Sequence, residues 1–332
     1  MRLLKIVLAA VLVIAIVYLM GPHPQKPVYT TALPVVPAGD SALEAYIKTQ
    51  ESYHHVKPDN EARIVWADST HQLTEYAIVY LHGFSASQEE GNPVHRDIAK
   101  QFGCNLYLAR LSEHGIDTSE ALLNMTAESL WTTAQQAYAI GKQLGKKVIL
   151  MGTSTGGTLA LQLAAAYPDI AALILYSPNI AINDPNAWIL NNHWGLQIAR
   201  MVKKGNYNII TGKTPVYAQY WNQQYRLEAT VQLEELLETT MTKETFSKVK
   251  QPVLTLYYYK DEEHQDKVVK VSAMKEMFAA LGTPADQKKM IPLPEAGSHV
   301  LASPIQSKDV ESVKRETQKF MQEQLHLQPV TH

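Results

Sequence analysis

The chain of 332 residues has a single cysteine, Cys104. That excludes an internal disulfide and any zinc or iron–sulfur site built on several thiolates. An excess of charge of one sign is also missing. Thirty basic against 32 acidic residues leave a formal charge of -2, so there is no electrostatic footprint for nucleic acid or an anionic surface. Glycine and proline are not in excess, and the chain has neither an internal repeat nor a low-complexity tract, so collagen-like and disordered chains are excluded. The close histidine pair His54-His55 precedes the first strand and has no helical i, i+4 partner, which argues against a metalloenzyme. Neither a metal nor an organic cofactor is expected. What remains is a chain 46% hydrophobic, long enough for about two structural units or one large one.

The longest apolar run lies at the start. Met1 to Met20 reads MRLLKIVLAAVLVIAIVYLM, with Arg2 and Lys5 ahead of an unbroken run from Ile6 to Met20. Fifteen apolar residues at about 1.5 Å each span some 22 Å of a hydrocarbon core about 30 Å thick. Leu3 and Leu4 lengthen the run if Lys5 snorkels to the interface. The run has no polar face, so a buried amphipathic helix is excluded. Tyr18-Leu19-Met20 offers no small-x-small cleavage site, although Thr30-Thr31-Ala32 is a loose match farther on. Residues 1–21 therefore read as a signal anchor, with a cleaved signal and a secreted product as the alternative. Basic residues before the run keep the N-terminus cytoplasmic and send the rest across, into the periplasm in a bacterium. Five prolines between Pro22 and Pro37 describe an extended tether over residues 22–59.

From about residue 60, short apolar runs alternate with longer helical patterns, as in a mostly parallel sheet flanked by helices. Strands are expected at Arg63–Trp66, Tyr76–Leu81, Asn105–Ala109, Lys147–Met151, Ala172–Tyr176, Val253–Tyr259 and Lys288–Ile291. Helices are expected at Val94–Gln101, Ala127–Leu144, Gly156–Ala166, Ser272–Leu281 and Ser307–Gln324. The alternation breaks once, between Ser177 and Gln251, in a segment rich in tryptophan and tyrosine. A structureless loop of that length is implausible. With helical patterns at Leu233–Thr239 and Lys243–Val249, residues 178–250 read as an inserted helical cap, and residues 60–177 and 251–332 as the core around it.

Gly152-Thr153-Ser154-Thr155-Gly156 follows the apolar run VILM and precedes the helical pattern LALQLAAAY. This is G-x-S-x-G between a strand and a helix, a tight turn that holds the Ser154 hydroxyl out at the positive end of the helix. A serine hydroxyl is a weak nucleophile and needs a base, which in turn needs an orienting acid. His299, in the loop after the final strand, is the base candidate. The acid should lie past the preceding strand, where Asp261 and Asp266 compete. Asp266, just before the next helix in D-x-V-V, is favoured over Asp261, nearer the strand end. Attack on a carbonyl also needs N–H donors for the oxyanion. YAIVYL runs into His82-Gly83-Phe84-Ser85, leaving the Phe84 amide free to face the nucleophile, with the Thr155 amide as the second donor. His82 reads as a structural hydrogen-bonder rather than a catalytic histidine.

HGFSAS at 82–87, LARLSEHG at 108–115, GTSTGG at 152–157, the D-x-V-V loop at 266–269 and GSHV at 297–300 occur in that order. Together they resemble the α/β-hydrolase superfamily, nearest to its serine carboxylesterase and monoacylglycerol-lipase-like members, over about residues 60–325. The resemblance implies an α/β-hydrolase fold and a Ser154–Asp266–His299 triad. It also implies an oxyanion hole from Phe84 and Thr155, and a lid inserted after the strand ending at Tyr176. The sequence departs from the pattern in a longer loop between Tyr259 and Val268, and in Leu111-Ser112-Glu113-His114-Gly115 where P-G-H-G is commoner. The expected partner is a small acyl ester, cleaved through an acyl-enzyme. The alternatives are a peptidase, thioesterase or amidase on the same triad, or a catalytically silent, membrane-tethered binding domain.

Overall fold

A computed structural model describes residues 2–330. Met1 of the apolar segment and the last two residues of the core segment lie outside the described residues. The elements in chain order are α1 (Arg2–Leu19), α2 (Asp40–Ser52), β1 (Arg63–Val65), β2 (Thr74–Leu81), α3 (Val94–Gln101), β3 (Asn105–Leu108), α4 (Ala127–Leu144), β4 (Gly145–Thr153), α5 (Thr155–Ala166) and β5 (Ala172–Tyr176). An insertion follows with α6 (Gly195–Lys203), β6 (Tyr207–Ile209), α7 (Pro215–Tyr220), β7 (Gln224–Arg226), α8 (Leu227–Thr240) and α9 (Lys243–Lys248). The chain then returns through β8 (Val253–Tyr257), α10 (Val271–Ala280), β9 (Lys288–Pro292) and α11 (Val310–Glu323).

The seven-stranded sheet has the order β1-β3-β2-β4-β5-β8-β9. It is parallel throughout except for β1, which pairs antiparallel with β3. Alternation along the strands divides the core in two. Ala77, Val79 and Leu81 of β2, with Val148 and Leu150 of β4, face the layer containing Leu130 and Ala134 of α4 and Leu159 and Leu163 of α5. Ile78 and Tyr80, with Ile149 and Met151, face the layer containing Val94 and Ile98 of α3 and Val313 and Phe320 of α11. Both faces are covered, which is why these strands are apolar at nearly every position. All seven expected strands are present. β2 and β4 are neighbours whose chain order runs outward in opposite directions, and beyond the carboxyl ends of such strands a parallel sheet leaves a crevice.

The N-terminal region differs from a free tether. α1 has no buried residue, and by length and composition it could cross a membrane. Residues 20–38 form no helix or strand, yet part of this stretch is fixed to the body. The Thr30 carbonyl accepts from Trp131 Nε1 at 2.7 Å and Gln135 Nε2 at 2.8 Å, and the Thr31 carbonyl accepts from the Tyr167 hydroxyl at 3.1 Å. Residues 40–52, expected within the tether, form α2, whose Leu43 and Ile47 are buried in the core. Their i, i+4 spacing gives a short apolar stripe, too slight to outweigh the prolines before it.

The insertion holds more structure than the two helical patterns indicate. α8 is longer than the Leu233–Thr239 pattern, and α6, α7 and the two-stranded antiparallel β6–β7 ribbon have no counterpart in the periodicity. Tyr217 and Trp221 stack at 5.0 Å and are buried, while Trp188 is exposed.

Candidate active site

Ser154 lies between β4 and α5 with φ 53° and ψ −117°, a conformation that a side chain other than glycine rarely adopts. Its surroundings impose it. The Ser154 N–H donates to the Tyr176 carbonyl at 2.9 Å, and its carbonyl accepts from the amides of Gly157 at 2.9 Å and Asn179 at 3.0 Å. A Cβ on Gly156 would fall 1.9 Å from the Leu81 carbonyl oxygen, so β2 and α5 can approach this closely only over a glycine.

The two aspartates separate cleanly. Asp266 is buried, and its Oδ2 lies 2.6 Å from His299 Nδ1. Its Oδ1 accepts the amides of Val268 at 2.8 Å and Val269 at 3.1 Å. Burial alone would raise this carboxyl group, but His299 and the two amides outweigh it and hold it below the usual range. The Asp261 side chain is 53% exposed and turns back on its own loop, accepting from the amides of Glu263 and His264 and pairing with the His264 ring at 2.8 Å. Burial would lower the His299 imidazole. The charges of Asp266 and Glu90 and the bond to Asp266 overcome that and leave it above its ordinary value. With Nδ1 directed to Asp266, Nε2 is the nitrogen left for a substrate or nucleophile.

Ser154, His299 and Phe84 line one cavity of about 610 Å³. No hydrogen bond joins Ser154 to His299 among the described residues; such bonds commonly tighten only in a substrate complex. Ile189, Leu190, Ile198 and Val202 of the insertion form much of the apolar wall. Phe84 packs edge-on against Tyr225 at 5.1 Å, and Thr155 opens α5, where the first amides of a helix have no intrahelical acceptor. His82 is fully buried, with Nδ1 2.9 Å from the Gly83 carbonyl, while Nε2 accepts the Leu111 amide at 3.1 Å. Both nitrogens are committed to backbone, and burial first, then the neighbouring His114, hold the ring well below its ordinary value.

Glu90 and Asn179 also line the cavity and were not singled out by the motifs. Glu90 follows HGFSAS by a few residues, but acids in a short loop carry no periodic signal of burial. Among the described residues no group of three or more His, Cys, Asp or Glu side chains could hold a metal ion.

The fold is that of an α/β hydrolase. The sequence profile of the serine aminopeptidase S33 family matches residues 127–296, just over half of the chain, and the chain belongs to that family. Over 97 residues it is 30% identical to a thermostable monoacylglycerol lipase of Bacillus sp. (strain H-257), a match spanning 29% of this chain and 38% of that protein. A solved structure from work on LipS and LipT, two metagenome-derived lipolytic enzymes, aligns with a TM-score of 0.62 at 17% identity, covering 80% of this chain and 99% of the other. The monoacylglycerol lipase of Paleococcus ferrophilus aligns at 0.57 and 15%, covering 78% and 97%. Est1E of Butyrivibrio proteoclasticus with bound ferulic acid aligns at 0.55 and 18%, covering 80% and 95%. At these identities the structural likeness speaks to the fold.

Proposed function

We propose that the protein is a serine hydrolase that cleaves carboxylic esters through an acyl-enzyme. Ser154 Oγ attacks the ester carbonyl carbon while its proton passes to His299 Nε2. The oxygen that becomes negative accepts the N–H groups of Phe84 and Thr155. Collapse breaks the carbonyl-carbon-to-oxygen bond of the alcohol, which leaves with the proton from His299. The same imidazole then deprotonates a water molecule that attacks the acyl-enzyme, releasing the acid and restoring the Ser154 hydroxyl. Asp266 orients the ring and favours its charged form.

The observation that carries the reading is the 2.6 Å contact between His299 Nδ1 and the buried Asp266 carboxyl, beside the cavity that also holds strained Ser154. The apolar wall from the insertion supports an acyl chain as its occupant, with residues 178–250 acting as a cap. A fluorophosphonate probe should label the wild-type protein and not Ser154→Ala. Equal labelling of both, or failure to label the wild type, defeats the proposal. Parallel assays with p-nitrophenyl esters and aminoacyl-p-nitroanilides separate an esterase from the peptidase that the family's description names.

For α1 we propose an uncleaved anchor with the hydrolase body on the extracytoplasmic side. Its fully exposed apolar surface supports this, as does its last turn, where the Val17 carbonyl, which would otherwise lack a partner, accepts from Trp194 Nε1 at 3.0 Å. Alkaline carbonate extraction should leave the full chain with the membrane. Release of an intact chain into the supernatant counts against the anchor.

A further inference from the structure

One fully buried ionisable side chain in the cavity wall has no part in that reaction. Glu90 belongs to the short 3-10 helix Gln88–Gly91, just past the HGFS loop. Its Oε2 accepts the Gly83 amide at 2.5 Å. The point a Cβ on Gly83 would occupy lies 2.8 Å and 3.0 Å from the two carboxyl oxygens and 3.0 Å from Ser154 Cβ. The carboxyl group and the side chain of Ser154 thus flank the same point beside Gly83.

His299 from the last loop and Trp221 from the insertion both favour its charged form. Tyr80 of β2 and Tyr217 of α7 face it as well. Among these groups only His299 can become a cation. Burial pushes the carboxyl group up to about 7, against the opposing pull of the Gly83 amide, His299 and Trp221. A carboxyl group kept out of water without an arginine or lysine is costly, and such sites cluster where chemistry is done.

We propose that Glu90 is a positioning residue for the ester-cleaving reaction. Its bond to Gly83 fixes the HGFS loop so that the next amide, Phe84 N–H, faces the reacting carbonyl, and its carboxylate favours the imidazolium that His299 becomes. This rests on the roles given above to Ser154 and His299.

The test compares Glu90→Gln and Glu90→Ala with the wild type, following kcat, KM and the pH profile of kcat/KM on p-nitrophenyl esters. Glutamine keeps an acceptor for Gly83 and loses the charge; alanine loses both. The alanine variant should lose about 10²-fold in kcat, comparable to removal of one oxyanion donor, and the glutamine variant about tenfold, with KM little changed. Without the carboxylate the imidazole gives up its proton more readily, so the acid limb of kcat/KM should move to lower pH in Glu90→Gln. A purely structural carboxyl group would not move that limb. If the alanine variant fails to fold, the isosteric glutamine variant decides alone. A folded Glu90→Gln with unchanged kcat and an unmoved limb overturns the proposal. Activity persisting in Ser154→Ala would defeat the underlying reaction instead, whatever Glu90 does.

Discussion

The rim of the sheet and the cap above it each hold a non-glycine residue at positive φ, and they secure it differently. Ser154, at φ 53°, is fixed by backbone bonds to β5 and the start of α5 and by packing from fully buried strands. Trp194 at φ 65° and Lys204 at φ 55° bracket α6, in which only Gly195 is buried and Met201 and Val202 are 71% and 70% exposed. Such conformations cost of order 1–3 kcal/mol each and persist only where the surroundings over-determine them. At the rim the whole core does so. In the cap, Trp194 is held by its amide to the Pro22 carbonyl at 2.9 Å and its indole to Val17, both outside the hydrolase body. The proposed reaction thus sets its reacting atoms on the over-determined rim, and its substrate's chain against the less constrained insertion.

The largest expected effect lies at the rim. Asp266→Asn should lower kcat/KM on p-nitrophenyl acetate by about 10³–10⁴-fold, because the amide holds the imidazole in the wrong tautomer and leaves its charge unopposed. Asp261→Asn, five residues earlier in the same loop, should stay within about twofold, the usual range for an exposed loop charge. A larger loss at Asp261 would mean the loop rearranges in the working enzyme and that the rim is less fixed than the cap.

How much could be read from the sequence follows the same division. Parallel strands covered on both faces give unbroken apolar runs, so β2, β4, β5 and β8 are legible, and G-x-S-x-G can be located because a strand and a helix flank it. Position along the chain favours Asp266 over Asp261, but not the reason for the difference, which is that only one carboxyl group turns inward to His299. α6 is illegible because it is short and exposed, and α2 because prolines precede it and only Leu43 and Ile47 mark its buried side. Glu90 is hidden for another reason. Burial of a loop acid is decided largely by residues distant in sequence, here Trp221 and His299.

Next in size is an effect on chain-length preference. Ile198 of α6 lines the cavity, and Ile198→Asp would put a charge where an acyl chain is proposed to lie. Each methylene removed from water contributes about 0.8 kcal/mol, so loss of two or three contacts amounts to roughly tenfold or more. kcat/KM for p-nitrophenyl palmitate should fall by about that factor while the acetate ester is cleaved nearly as before. An equal fall for both esters would show that the cap is part of the reacting geometry and would erase the distinction between the two regions.

The smallest effect tests whether the N-terminal segment steadies the cap. A Cβ on Gly21 would lie 2.1 Å from Trp194 Nε1, so Gly21→Leu must displace the indole and with it the bond to Val17. Trp194 is only half-buried and its indole can shift, which keeps the cost low and leaves the rim untouched. In the full-length protein, acetate ester cleavage should change by less than about twofold. Limited proteolysis between residues 188 and 205 should become faster, because α6 then retains few contacts to oppose local opening. Unchanged proteolysis would mean that α8, packed beside α6, suffices to hold it, and that the strain at Trp194 is balanced within the cap itself.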